Sequence, residues 1–212
     1  MKPGAAHELL PLAVGWHGKL AARGDFVGRG LPRPWLRVWD EWLQRAMAGA
    51  SRQIDAALLR ERLLAMSPWQ CVVLPSAPGQ PAWSGVVIAS PDRVGRVFPL
   101  LLAEAYGEHD LERVELSTLR ERAGRIARWL REAAPTLSPR EFELGAAQWS
   151  SQAWPAARAA DGQETMSALC ASRPSAQSFW WRLDAPADER EVFDQPWPPR
   201  ESMLLEWLAV TD

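Results

Sequence analysis

The sequence predicts an α/β fold: a three-layer sandwich in which one mixed sheet lies between helices on both faces. Three observations carry that prediction. Apolar runs at 69–74, 83–89 and 97–103 have the length of strands, and they are too continuously apolar for a sheet with one wet face. Stretches before and after them repeat apolar residues at helical period. The chain has 212 residues, 47% of them hydrophobic and 24% charged, enough for one sizeable core. Residues 12–212 are therefore read as one domain, with 1–11 a loose tail rich in Ala, Gly and Pro.

Taken in order, Leu12-Ala13-Val14-Gly15-Trp16 opens as a strand, and Gly15, Gly18, Gly24, Gly28 and Gly30 then mark an irregular segment. Pro32 and Pro34 introduce a helix, because proline is favoured in a first turn whose N–H groups lack partners anyway. Trp35, Val38, Trp39, Trp42, Leu43 and Ala46 line one face of it, and a second helix carries Ile54, Leu58, Leu63 and Leu64. The runs at 69–74 and 83–89 are close enough in sequence to pair antiparallel across a long hairpin loop. Thr118 with Glu121 reads as a capping box for a helix that buries Leu119, Ala123, Ile126, Ala127, Leu130 and Ala134. Ser138-Pro139-Arg140-Glu141 starts another helix, with Phe142, Ala146 and Trp149 inward. A short helix over 162–171, a strand over 177–183, a stiff connector at 196–199 and a closing helix over 202–210 complete the order.

Net charge is −2, so no global field draws the chain to nucleic acid or to an anionic membrane. No apolar run is long enough to span a bilayer, and the N-terminus lacks the apolar core of a secretory signal; the expected compartment is the cytoplasm. Two cysteines, Cys71 and Cys170, exclude a disulfide scaffold and a cysteine-rich zinc site. No metal site or cofactor is expected. His7, His17 and His109 have no metal-ligand spacing. His17 has Asp25 nearby, but no Gly-x-Ser-x-Gly elbow supplies a nucleophile, so no catalytic residue is assigned. Gly15-Trp16-His17-Gly18-Lys19-Leu20 departs from a phosphate loop in spacing and lacks the hydroxyl after the lysine. The 13 Trp need burial or a docking role. Trp39, Trp42 and Trp83 fall on apolar faces. Trp180 and Trp181 point to opposite faces of their strand; a sheet covered on both sides buries both, and exposure of either would make it a docking patch.

Several blocks form a pattern: Gly15-Trp16-His17-Gly18-Lys19-Leu20, Arg23-Gly24-Asp25-Phe26-Val27, Arg29-Gly30-Leu31-Pro32 and Trp39-Asp40-x-Trp42-Leu43. A second group is Trp83-Ser84-Gly85-Val86 and Ser90-x-Asp92-Arg93-Val94-Gly95-Arg96 with Phe98-Pro99-Leu100, and a third is Ser178-Phe179-Trp180-Trp181. Together they resemble the TagF (ImpM) family, accessory proteins of bacterial type VI secretion systems. His17 stands where that family more often has an aromatic, and Ala21-Ala22 where it often has Pro and a small residue. The resemblance implies a three-layer fold and a cytoplasmic regulator without known catalysis. Such a regulator holds secretion off after translation by engaging a forkhead-associated-domain scaffold protein. Some relatives carry a fused phosphatase domain, and this chain resembles the stand-alone form.

The motif residues Gly15, Trp16, Gly18, Gly24, Asp25, Phe26, Asp92, Arg93, Gly95 and Arg96 are expected to be structural, with Asp25 pairing Arg93 or Arg96 or capping backbone N–H groups of its own segment. Lys19, Arg23 and Arg29, together with Trp180 and Trp181, are the candidate partner-binding residues, because long cations seldom bury without a partner. The competing reading is a small hydrolase or transferase that uses the glycine-rich Arg/Asp segment.

Overall fold

A computed structural model describes residues 7–112, 114–156, 164–185 and 191–209. Its nine strands are β1 (His7–Leu9), β2 (Ala13–Gly18), β3 (Val27–Arg29), β4 (Trp69–Val73), β5 (Ala82–Pro91), β6 (Val97–Tyr106), β7 (Trp154–Ala156), β8 (Ser178–Arg182) and β9 (Phe193–Gln195). Its helices are α1 (Arg33–Gln53), α2 (Ala56–Ala65), α3 (Leu116–Ala133), α4 (Pro139–Gln148), α5 (Met166–Ser172) and α6 (Met203–Trp207).

Seven strands form one sheet in the order β3-β2-β6-β5-β4-β8-β9. Every neighbouring pair is antiparallel. The expected sandwich is present, but its sheet is antiparallel rather than mixed. The long apolar runs signalled cover on both faces, which an antiparallel sheet between two helical layers needs as much as a parallel one; they carried no information on strand direction.

The alternation of side chains divides the core. Trp69, Cys71 and Val73 of β4, Trp83 and Val87 of β5, Leu101 of β6 and Trp180 of β8 face α1, α2 and α6. Val86, Ile88, Leu100 and Leu102 face α3 and α4, and Val72, Phe179 and Trp181 pack with the start of α3. Eight of the 13 Trp gather in or against the first cluster, including Trp39, Trp42, Trp180 and Trp207. Trp39, Trp42 and Trp83 are buried, as their spacing predicts.

Helix starts illustrate local control. Ser138 caps α4 in a reciprocal capping box with Glu141, as predicted. The Thr118/Glu121 pair is different: α3 begins earlier, after Glu115, which leaves Thr118 inside the helix. The isolated bridge between Glu115 and Thr165 fixes that start, a tertiary contact that the capping pattern does not encode. On α2 the buried residues are Leu59 and Leu63, while Leu58 and Leu64 lie exposed. The tail reading of 1–11 does not hold at His7–Leu9, which pair antiparallel with Trp154–Ala156. Residues 1–6, and positions 162–163 and 210 of the predicted helices, lie outside the described residues.

Candidate functional site

The block from Lys19 to Phe26 and the block from Ser90 to Leu100 meet at one end of the sheet, where β5 turns into β6. Asp92 builds this turn. Its Oδ1 accepts from the backbone N–H groups of Val94 (3.0 Å) and Arg96 (2.9 Å). Gly95 sits at φ 84°, in the left-handed region that glycine occupies without strain. Asp92 Oδ2 accepts from Lys19 Nζ and from Arg96 Nε, both at 2.8 Å. Burial of the carboxyl opposes its ionisation, but these hydrogen bonds from Lys19, Arg96 and Val94 outweigh it and hold the pKa well below the usual carboxylate range.

Of the three candidate partner-binding cations, at least one of which is expected at the surface, Lys19 is buried while Arg23 and Arg29 are exposed. Besides the ion pair, the Lys19 ammonium lies 5.1 Å from the Phe26 ring centre and 6.0 Å from that of Phe98. Phe26 stacks on His17 with centroids 5.6 Å apart and meets Phe98 edge-on at 4.7 Å. His17 Nε2 lies 3.5 Å from Asp40 Oδ1. Burial lowers the His17 pKa, and Asp40 raises it in part. His17 thus fills the aromatic position of the motif as a packed ring.

The glycine-rich segment is clamped to the turn through its backbone. Arg93 N–H donates to Arg23 O at 2.8 Å, and an Arg96 guanidinium N–H donates to Gly24 O. Arg60 of α2 reaches the other side, its Nε 3.3 Å from Gly95 O. Asp25 takes no part in this with its side chain: its Oδ1 accepts the N–H of Phe26 at 2.8 Å. The expected cap within the segment is therefore present, while the carboxylate that answers the arginine is Asp92. The arginines do anchor the segment, but to carbonyl oxygens. Further along, Gly30 has φ 79° and crosses so close to Val14 O that a β-carbon could not fit, and Gly15 packs against the backbone of Leu31 in the same crossing.

The remaining predicted residues are placed as follows. Trp16 is buried against Phe142, with ring centres 4.6 Å apart. Gly18 closes β2 against the backbone of Leu100. Arg29 is 71% exposed and lies 3.3 Å from Glu143 of α4. Arg23 is exposed. Trp180 and Trp181 are both 0% exposed. Trp180 Nε1 donates to Ser178 Oγ (3.0 Å) and Trp181 Nε1 to Gln70 Oε1 (2.9 Å). They are core residues rather than a docking patch, because helices cover both faces of β8.

A second polar cluster escaped the sequence reading. Arg122 of α3 is buried with its Nη2 at 2.6 Å from Glu104 Oε1 of β6 and at 3.0 Å from Trp149 O. Tyr106 Oη donates to Glu104 Oε2 (2.8 Å) and accepts from Trp154 Nε1 (3.1 Å). Burial, and then the charge of Glu104, push the Tyr106 phenol up. The signal was present: Glu104 is the one acid in an apolar strand, and Arg122 sits on the apolar face of its helix.

Among the described residues, no three His, Cys, Asp or Glu side chains are grouped to hold a metal ion, and no helix is long and apolar enough to cross a membrane. Cys71 is buried in β4, and burial pushes its thiol up to about 12.

The family model for the TagF N-terminal domain, described as type VI secretion system-associated, matches residues 15–149. The crystal structure of PA0076 from Pseudomonas aeruginosa PAO1 is similar at 27% identity and a TM-score of 0.69, over 92% of this chain and 94% of that one. No curated protein matches. The matched span contains the Lys19–Asp92–Arg96 cluster and the backbone clamp around it. By that match the chain belongs to the family of type VI secretion system-associated proteins that carry the TagF N-terminal domain.

Proposed function

We propose that this type VI secretion-associated protein is a negative regulator that acts after translation, in the cytoplasm and without catalysis, by binding a forkhead-associated-domain scaffold protein of the same system. The observation that carries this reading is how the motif's charges are used. Lys19 and Asp92, both buried, and the more exposed Arg96 satisfy one another in one cluster. That arrangement holds a turn in a fixed shape and leaves none of the three poised as a reacting group. The hydrolase or transferase alternative needs a nucleophile and a base within hydrogen-bond reach, and His17 instead contacts Asp40 and the Phe26 ring.

The test is capture of the scaffold by the purified chain, beside secretion assays in cells that lack or overproduce it. Capture of the scaffold, with secretion raised by loss and silenced by excess, supports the reading. A chain that leaves secretion unchanged, or that turns over generic esterase or phosphatase substrates at a rate that substitutions in the glycine-rich Arg/Asp segment abolish, overturns it.

A further inference from the structure

The turn that Asp92 holds presents more positive charge than the fold consumes. Arg96 is 63% exposed at its side chain, although it is bound to Asp92 and Gly24. Arg93 Nη2 lies 3.9 Å from where a β-carbon on Gly24 would be, and Arg60 Nη2 lies 4.0 Å from the same point on Gly95. Three guanidinium groups, two on the turn and one on α2, therefore lie together over Gly24 and Gly95, with Arg93 and Arg60 covering the sites where these glycines have no side chain. Arg23, also exposed, adjoins them through the Arg93 N–H to Arg23 O hydrogen bond. Among the described residues, no acid forms an ion pair with Arg23, Arg60 or Arg93. Asp92, which could have neutralised them, is enclosed and saturated by Lys19, Arg96 and the turn backbone. Asp25 is the only acid within 20–29, and its Oδ1 is engaged by the Phe26 N–H. Beside the arginines stand two apolar groups, Val94 at the tip (65% exposed) and Phe26 (38% exposed).

We infer that this arginine cluster is a docking surface for a carboxylate-rich segment of a protein partner, one that also carries apolar side chains. Arginine recognises carboxylates through paired, planar hydrogen bonds. Gly24 and Gly95 leave room for the guanidinium groups to lie close to the turn, and Val94 and Phe26 provide apolar contact beside the charges. A net charge of −2 sets this surface apart from a polyanion-binding protein: its positive charge is local and acts at contact range. The assignment of the segment to the scaffold protein rests on the reading proposed above; the surface and its chemistry rest on the arginines alone.

The probe is a fluorescein-labelled peptide of about 12 residues that alternates Glu and Leu, titrated against the full chain by anisotropy, with a thymidine oligonucleotide of equal length beside it. Arg23→Glu with Arg93→Glu reverses two charges whose side chains have no ion-pair partner, so the variant keeps its fold; Arg60→Glu provides an independent second variant. Arg128→Glu with Arg131→Glu, on the exposed side of α3, is the control. The expected result is peptide binding that falls at least about tenfold in the double variant, falls in Arg60→Glu, weakens with salt, and stays within about twofold in the control. Failure of the wild type to bind the peptide, equal loss in the control, or tighter binding of the oligonucleotide overturns the inference. Scaffold capture separates the two claims. A wild-type chain that binds the peptide through these arginines but leaves the scaffold uncaptured removes the proposed function and keeps the surface. A scaffold captured equally by the Arg23/Arg93 variant keeps the function and removes this surface as its interface.

Discussion

Lys19 Nζ and Asp92 Oδ2 are 2.8 Å apart, and both side chains are withdrawn from solvent. They are separated by 73 positions in the chain. The pair joins the end of β2 to the β5–β6 turn, and the Arg93 and Arg96 hydrogen bonds to the Arg23 and Gly24 carbonyls hold the glycine-rich segment to the same turn.

Removing the ammonium leaves a buried carboxylate with fewer donors. Breaking a buried pair from one side is far more costly than losing an exposed one. Lys19→Met and Lys19→Glu are therefore expected to lower the melting temperature by about 10 °C or more. Arg23→Glu, at an exposed site, is expected to stay within about 3 °C of the wild type. Scanning fluorimetry of the three variants checks this; equal melting of Lys19→Met and Arg23→Glu would show that the pair contributes nothing.

His17 and Asp92 make stability depend on pH in acid. Burial places the His17 pKa below its ordinary 6.5, with Asp40 opposing in part. The unfolded chain then takes up that proton first, so stability is full above about 6.5 and declines as pH falls from there toward the folded value. Asp92 is depressed as well, so its contribution is present above the ordinary carboxylate value of about 3.9 and is lost below it. Denaturant unfolding between about pH 7 and pH 5 should show a slope that His17→Phe reduces. An unchanged slope in that variant assigns the titration elsewhere.

Glu104 and Arg122 form the second buried pair, 2.6 Å apart. Arg122→Met strands the carboxylate and is expected to cost about 3–5 kcal/mol. Glu104→Met combined with Arg122→Met removes both charges and should recover a large part of that loss. Urea unfolding of the two single variants and the double variant measures the coupling; a double variant as weak as the sum of the singles would mean that the pair itself is not coupled.

Trp180 lies in the Trp cluster, with ring centres 5.4 Å from Trp207 and 6.3 Å from Trp39. Trp180→Ala should cost about 3–5 kcal/mol through the cavity it opens. A loss under about 1 kcal/mol in equilibrium unfolding would show that this position is not core.

Much of this architecture was legible in the sequence because local geometry writes itself into spacing. The face of α1 carrying Trp39, Trp42, Leu43 and Ala46, the Ser138 cap of α4 and the buried β4, β5 and β6 each follow from a period or a capping rule within one segment. Three-residue strands such as β3, β7 and β9 have too few positions to show any period. Strand direction was legible only where a short connection joins two runs, as in the antiparallel pair of β4 and β5; elsewhere a covered antiparallel sheet and a covered parallel one select the same apolar side chains. Only the tertiary structure decided which acid answers which base. The glycine-rich segment offered Asp25 and the turn offered Asp92, both beside arginines in sequence. Packing turned Asp92 inward onto Lys19 and Arg96 and left Asp25 outside on its own backbone. The same folding enclosed Lys19, a candidate partner-binding cation, and Trp180, as a sheet covered on both sides requires, and left Arg23, Arg60 and Arg93 in solvent. Periodicity reports how a segment meets the core, whereas the partner of a charge depends on chain brought near from far along the sequence.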